Sequence, residues 1–319
     1  MGDHITAMVR SHAAGDDSSF YSVALQIAAR EAKRGHHVLA ADIKKAVDAS
    51  RESVTRANVT ALGQPRGDLA DLILTTHPTT ALRDLVAPAP LLAEIKHVLA
   101  EQRQRKRLLD SGFTPVHRLL LEGPPGTGKT MTASVLAHEL GLPLFTIRID
   151  ALMSKFMGET GNKLRLVFDQ VDQRRGVYLF DEFDALGADR AGNDVGEARR
   201  VLNSFLVFLE NASATSIVVA ATNHRSILDK ALFRRMDLII TYTRPDARQA
   251  VSVIRARLGS LVSKTSLAKL SEYTDGLSHA DLVKAAESAA KVSLMRGEDA
   301  VDREVLIQAL QARRSASLG

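Results

Sequence analysis

Eight consecutive residues, Gly123-Pro124-Pro125-Gly126-Thr127-Gly128-Lys129-Thr130, leave this chain few ways to fold. The apolar run Arg118-Leu119-Leu120-Leu121-Glu122 precedes them and reads as a strand. Residues 131–140 follow with a helical pattern that stops at Gly141 and Pro143. Glycines between a strand and a helix permit a tight turn whose backbone N–H groups converge with the helix N-terminus on one point. Such a concavity suits a di- or triphosphate. Lys129 adds a mobile cation for the outer phosphates, and the Thr130 hydroxyl is placed to ligate Mg²⁺.

The rest of the pattern is consistent with this start. Apolar runs at 117–122, 144–149, 177–181, 216–221 and 238–242 each precede a helical pattern, which predicts a parallel five-stranded sheet with helices on both faces. A long amphipathic helix carrying Leu92, Ile95, Val98 and Leu99 is expected from about residue 81. Past Pro245 only helical periodicity remains, at 246–258, 265–273, 279–296 and 302–312, predicting a small all-helical lid. At the other end, Phe20, Val23, Ala24, Ile27 and Ala28 form one helical stripe and Leu39, Ile43, Ala46 and Val47 a second, joined by Lys33-Arg34-Gly35 and His36-His37. The organisation expected is a helical hairpin at 1–52, a linker at 53–80, a nucleotide-binding α/β subdomain at 81–245 and the lid at 246–319.

Composition removes several alternatives. Zero cysteines rule out disulfides and cysteine metal sites. No apolar run reaches the ~18 residues of a membrane span, and Met1-Gly2-Asp3-His4 lacks the start of a secretion signal, so a cytoplasmic location without membrane contact is expected. The net charge of +5 permits an acidic partner but does not name one. The basic run 103–107 reads as a solvated helix face, and with no helix-turn-helix tail or zinc motif a nucleic-acid partner is not expected.

A phosphate loop that hydrolyses its ligand needs a metal-side carboxylate and a group that activates water. Val177-Tyr178-Leu179-Phe180-Asp181-Glu182 offers both, with Asp181 for the Mg²⁺ shell and Glu182 as general base; Asp184 beside them reads as part of an acidic turn. A second apolar strand ends in Thr222-Asn223, where an uncharged amide can bond a terminal phosphate or the lytic water. Further on, Arg234 and Arg235 could neutralise transition-state charge, within the chain or across a subunit boundary.

In this order and spacing, GPPGTGKT, VYLFDEFD, AATN and LDKALFRRMD resemble the AAA family of P-loop ATPases, over roughly residues 81–312. Asp275-Gly276-Leu277-Ser278-His279-Ala280-Asp281-Leu282 is similar to the start of that family's lid helix. The resemblance implies ATP and Mg²⁺ as ligands, with the nucleotide held by Gly123, Pro124, Pro125, Gly126, Thr127, Gly128, Lys129, Thr130 and Met131 and by Asp181. It implies that Thr130 and Asp181 are the metal ligands, that Glu182 and Asn223 are the hydrolytic pair, and that Arg234 and Arg235 reach a neighbour's nucleotide. Ala280 would lie near the adenine, with Leu85 and Val86 on its other side. Ser154-Lys155-Phe156-Met157-Gly158-Glu159 resembles the family's pore loop, in which Lys155, Phe156, Met157 and Gly158 would line a ring channel and grip an extended polypeptide; the polar segment 188–194 would face the same channel. One departure is Leu238, where the family often has a further arginine.

The function so implied is a homo-oligomeric motor, hexameric in most of the family, that remodels, unfolds or delivers protein substrates. Two alternatives stay open: a nucleic-acid loader, and a nucleotide-gated regulatory subunit or scaffold. The N-terminal hairpin resembles the front of small bacterial AAA proteins that serve a separately encoded subtilisin-like protease, and the chain itself has no cysteine, GxSxG or HExxH protease signature.

Overall fold

A computed structural model of the chain describes residues 68–153, 159–186, 195–262, 267 and 270–318, together with Ala28, Ala41 and Asp42. It divides into two units, Met1–Gln64 and Pro65–Gly319. The helical hairpin expected near the N-terminus lies almost wholly outside the described residues.

Pro65–Gly319 is built on a six-stranded sheet: β1 (Ile73–Thr76), β2 (Arg118–Glu122), β3 (Leu144–Ile147), β4 (Val177–Phe180), β5 (Ile217–Thr222) and β6 (Leu238–Thr241). The spatial order is β1-β3-β4-β5-β2-β6. Strands β2 to β6 run parallel, in the registers Leu144↔Val177, Val177↔Ile217, Arg118↔Val218 and Leu119↔Leu238. All five expected strands are present. The sixth, β1, falls in the segment expected to be linker and pairs antiparallel with β3, Ile73 opposite Ile147. It is four residues long with Ile73 buried and Leu74 exposed, too short for a period-two signal to stand out.

Both faces of the sheet are covered, which is why its strands read as continuous apolar runs. Alternation along each strand sends one set of side chains to each face. Leu120, Tyr178, Phe180, Val218 and Ala220 meet the helices Glu159–Gln173 and Val195–Asn211. An aromatic cluster fills that layer, with Phe168 stacked on Phe180 at 5.9 Å and Phe205 edge-on to Phe180 at 5.1 Å. Leu119, Leu121, Leu179, Val219 and Ala221 face the other way, onto the helices Ala89–Arg103 and Lys129–Leu140.

The helix expected from about residue 81 begins later. A 3₁₀ turn, Leu82–Asp84, comes first, and Pro88 and Pro90 delay the helix to Ala89, where a proline in the first turn loses no hydrogen bond. The basic run is also not simply solvated. Arg103 donates to the Glu139 carboxylate at 3.0 Å, and Arg105 donates to the Ala214 carbonyl at 2.9 Å, tying this helical region to two other parts of the unit.

The lid consists of the helices Ala247–Leu258, Ser271–Thr274, His279–Met295 and Arg303–Leu318. Only part of the predicted 265–273 helix falls within the described residues, and there the helix is confined to Ser271–Thr274 and starts later. Asp246 with Gln249 and Ser278 with Asp281 form reciprocal capping boxes that fix where two of these helices start. Buried Ala285, Ala286 and Ala289 let the neighbouring helices approach His279–Met295 closely around Ile254, Leu306 and Leu310.

Candidate nucleotide site

The topology assembles the site. β4, β5 and β2 are neighbours in the sheet and parallel, so Asp181-Glu182, Asn223 and the loop from Gly123 all emerge at one edge. That edge lies at the carboxyl ends of the strands, where open α/β sheets place their ligands.

Two glycines in the loop are required by their surroundings. Gly123 has φ +143, and a Cβ there would overlap the Tyr242 carbonyl. Gly126 has φ +72, and a Cβ would come to 2.7 Å from the Ser278 hydroxyl and 3.0 Å from the Ala280 methyl. The loop therefore touches the lid directly, and the Ala280 N–H donates to the Gly126 carbonyl at 3.0 Å. Lys129 is buried and donates to the carbonyls of Gly123 and Pro124 at 2.7 and 2.8 Å. Burial lowers its pKa, while Asp181 and Asp184 pull the other way. The Thr127 hydroxyl braces the turn by donating to the Pro124 carbonyl at 2.8 Å.

The Thr130 hydroxyl donates to the Asp181 carboxylate at 2.7 Å, so two hard oxygen donors sit side by side. Among the described residues no group of three or more His, Cys, Asp or Glu could enclose a metal. A pair of oxygen donors with the remaining positions left to phosphate and water is what Mg²⁺ accepts. Glu182 follows in the left-handed region at φ 51, the one non-glycine residue with positive φ among those described, and its N–H is held by Asp181 at 3.0 Å. Strain of this kind collects at functional sites and here keeps the exposed Glu182 side chain on the rim of the cavity.

Lys129, Thr130, Asp181, Glu182, Asn223 and Ala280 share a cavity of about 560 Å³. A second cavity of about 380 Å³ adjoins it, lined by Leu85, Val86, Met131, Val253 and Val283. Gly128, Met131, His279 and Val283 line both. The phosphate loop and acids line the first and aliphatic side chains line much of the second, so the two together have room and chemistry for the two ends of a nucleotide. Of the residues expected here, Pro125, Gly126, Gly128, Lys129, Thr130, Met131, Asp181, Glu182, Asn223 and Ala280 line the first, and Leu85 and Val86 the second. Gly123, Pro124 and Thr127 shape the loop between them.

Arg234 and Arg235 do not join this cavity. The chain leaves the site at Asn223 and travels to the amino end of β6, and the two arginines lie on that return. Arg234 is exposed and its guanidinium makes no hydrogen bond or ion pair among the described residues; Arg235 meets Glu210 at 3.0 Å. Leu238 opens β6 and pairs with Leu119. Lys155, Phe156, Met157, Gly158 and the segment 188–194 lie outside the described residues.

Two features were not legible in the motifs. Asp184 is half-buried rather than part of a free acidic turn: its Oδ1 accepts from the Thr222 hydroxyl at 2.9 Å and from the Asn223 N–H at 3.2 Å. Its spacing of three from Asp181 across a 3₁₀ turn was the available signal. Glu122 is 2% exposed, and its carboxylate accepts from Thr241 at 2.7 Å and from Arg225, locking the strand before the loop to the segment after Asn223.

Comparison with known proteins agrees with this geometry. The model of the family "ATPase family associated with various cellular activities (AAA)" matches residues 119–244. An uncharacterized AAA family ATPase of Sinorhizobium fredii is 32% identical over 308 residues, covering 95% of this chain and 93% of that protein. An ATP-dependent zinc metalloprotease FtsH of Sphaerobacter thermophilus is 32% identical over 73% of this chain and 37% of its own length. The Bacillus subtilis FtsH is 34% identical over 66% of this chain and 34% of its own length. The chain thus spans little more than a third of each metalloprotease. Phosphate loop, paired acids, amide at the next strand tip and a lid docked on the loop occur together in one unit, and the chain belongs to the AAA family of ATPases.

Proposed function

We propose that this ATPase works as a ring, each site completed by its neighbour, and that turnover moves polypeptide substrates. The observation that carries the reading is the separation of the hydrolytic groups from Arg234 and Arg235. Thr130, Asp181, Glu182 and Asn223 converge on one cavity, while Arg234 lies exposed on the far return of the chain. An arginine that a single subunit cannot bring to its own phosphate is available to an adjacent one.

In this reading the loop N–H groups and Lys129 hold the β- and γ-phosphates of ATP, and Thr130 and Asp181 would hold Mg²⁺. When bound there, Mg²⁺ neutralises charge on the phosphate oxygens. Glu182 accepts a proton from water as the water oxygen attacks the γ-phosphorus and the bond to the departing ADP oxygen breaks. Asn223 orients that water, and Arg234 and Arg235 of an adjoining copy offset the developing negative charge. The lid senses the outcome through the contact of Ala280 with Gly126.

Two relatives are named ATP-dependent metalloproteases. These 319 residues contain no HExxH, and a separately encoded subtilisin-like protease is the candidate partner for proteolysis. Residues 1–52 are the segment we assign to substrate, partner or assembly contacts, and the cytoplasm as the site of action. Among the described residues no helix is long and apolar enough to cross a membrane.

The test is Glu182→Gln. It should bind ATP, lose turnover by 100-fold or more (about 3 kcal/mol of barrier) and retain polypeptide clients that mass spectrometry can identify. Wild-type turnover by a strictly monomeric protein, or a trapped variant that retains only nucleic acid, would overturn the proposal.

A further inference from the structure

His279 stands where the two cavities meet and lines both. It is the first residue of the lid helix, directly after the Ser278 cap and before Ala280, whose N–H is bonded to the phosphate loop. Its position is therefore set by the same contacts that dock the lid. Both ring nitrogens are shielded from solvent and neither makes a well-formed hydrogen bond; among the described residues the Val86 backbone is the polar group that acts on the ring. Buried polar side chains without partners are uncommon and call for an explanation in terms of a ligand or a mechanism.

The chemistry around His279 narrows the explanation. On one side lie the loop, Thr130 and the acids, which suit phosphates. On the other lie Leu85, Val86, Met131, Val253 and Val283, which offer apolar surface for a ring, while the polar side chains of that wall are engaged elsewhere: Arg83 with Asp84, Arg257 with Glu287 and Thr127 with the Pro124 carbonyl. A purine placed there keeps a polar edge that must find partners, and the shielded imidazole, which lines both cavities and is paired with no other side chain, can supply one. Burial lowers the His279 pKa, with the Val86 backbone opposing, and this favours the neutral ring, which has one donor and one acceptor.

We propose that His279 is a specificity-determining residue that hydrogen-bonds the purine base of the bound nucleotide, so that base recognition in this chain includes a side chain carried on the lid. This rests on the assignment of the site as an ATPase site. A protein that binds no ADP at all would refute that assignment, whereas the outcomes below concern His279 alone.

The experiment is calorimetric titration of the whole chain with ADP, with 2′-deoxy-ADP and with inorganic tripolyphosphate. The variants are His279→Ala, His279→Leu and His279→Asn. Loss of one neutral hydrogen bond corresponds to about 2–10-fold in affinity. His279→Ala and His279→Leu should weaken ADP and 2′-deoxy-ADP by that factor and leave tripolyphosphate unchanged. His279→Asn, which keeps a donor and an acceptor, should recover most of the loss. At saturating ATP, kcat should stay near wild type while KM rises. ADP affinity unchanged in both apolar variants would overturn the proposal. So would an equal loss for tripolyphosphate, which would mark a general disturbance of the site, or a loss confined to ADP and absent for 2′-deoxy-ADP, which would place the contact on the ribose. Should His279→Ala fail to fold, the comparison of Leu with Asn decides the matter alone.

Discussion

Replacing Asp184 with alanine would remove an acceptor that the Thr222 hydroxyl reaches at 2.9 Å and the Asn223 N–H at 3.2 Å. Thr222 is fully buried, so its O–H would lose its acceptor out of reach of water, at about 1–3 kcal/mol, although the oxygen would still accept from the His224 N–H. The Asn223 N–H is half-buried and its bond longer, which puts its loss near the lower end of the same range. Together these give about 2–4 kcal/mol, and at roughly 2–4 °C per kcal/mol for a body of this size the melting temperature should fall by about 4–16 °C. The functional effect is distinct from this loss of stability. Asp184 holds the backbone of the residue proposed to orient water, so the variant should bind ADP within about threefold of wild type and lose about 10–100-fold in kcat. Asp184→Asn keeps an oxygen in the same place and should restore most of both. The assay is steady-state phosphate release on folded protein, paired with calorimetry for ADP. Lowered stability with unchanged kcat would show that Asp184 braces the turn without positioning Asn223, and the reasoning would be wrong.

Other outcomes follow from the same contacts. Gly126→Ala, forced to φ +72 and pressed onto Ser278 and Ala280, should loosen the lid and weaken ADP binding by at least 10-fold, whereas Gly141→Ala, at φ +63 with open space around it, should cost only about 1–2 kcal/mol of stability and leave binding unchanged; calorimetry that shows equal losses would contradict the lid contact. Partial desolvation of the Asp237 carboxyl alone would raise its pKa, but hydrogen bonds from His117 and Arg118 outweigh this and hold it well below its usual range. A depressed folded-state pKa stabilises above the unfolded value near 4 and the benefit is lost as pH falls through the folded value, so wild type should lose urea resistance below about pH 4 more steeply than Asp237→Asn, which should itself be about 1–3 kcal/mol weaker at pH 7. Parallel slopes would refute that assignment.

The parts legible in the sequence were those governed by short-range constraints. A strand, three glycines and a helix leave one arrangement for residues 118–140, and apolar strands ending in Asp181-Glu182 and Asn223 are bound to reach the same edge once the sheet is parallel. What stayed hidden depends on partners distant in the chain. Ile73 becomes a strand residue only through Ile147. Arg103 and Arg105 read as a solvated run because Glu139 and Ala214 are remote in sequence. His279 occupies an unconstrained position of the lid motif, and nothing in the motif says that two cavities meet at its ring.

The shared site is the central claim, and mixing two inactive variants tests it most directly. Lys129→Ala would retain both arginines with a dead phosphate loop, and Arg234→Ala/Arg235→Ala would retain the loop without them. Neither alone should hydrolyse ATP, but an equimolar mixture assembled at random should regain about a quarter of wild-type turnover, the share of interfaces that pair an intact loop with intact arginines. A mixture as inactive as its components, or arginine variants as active as wild type, would contradict it.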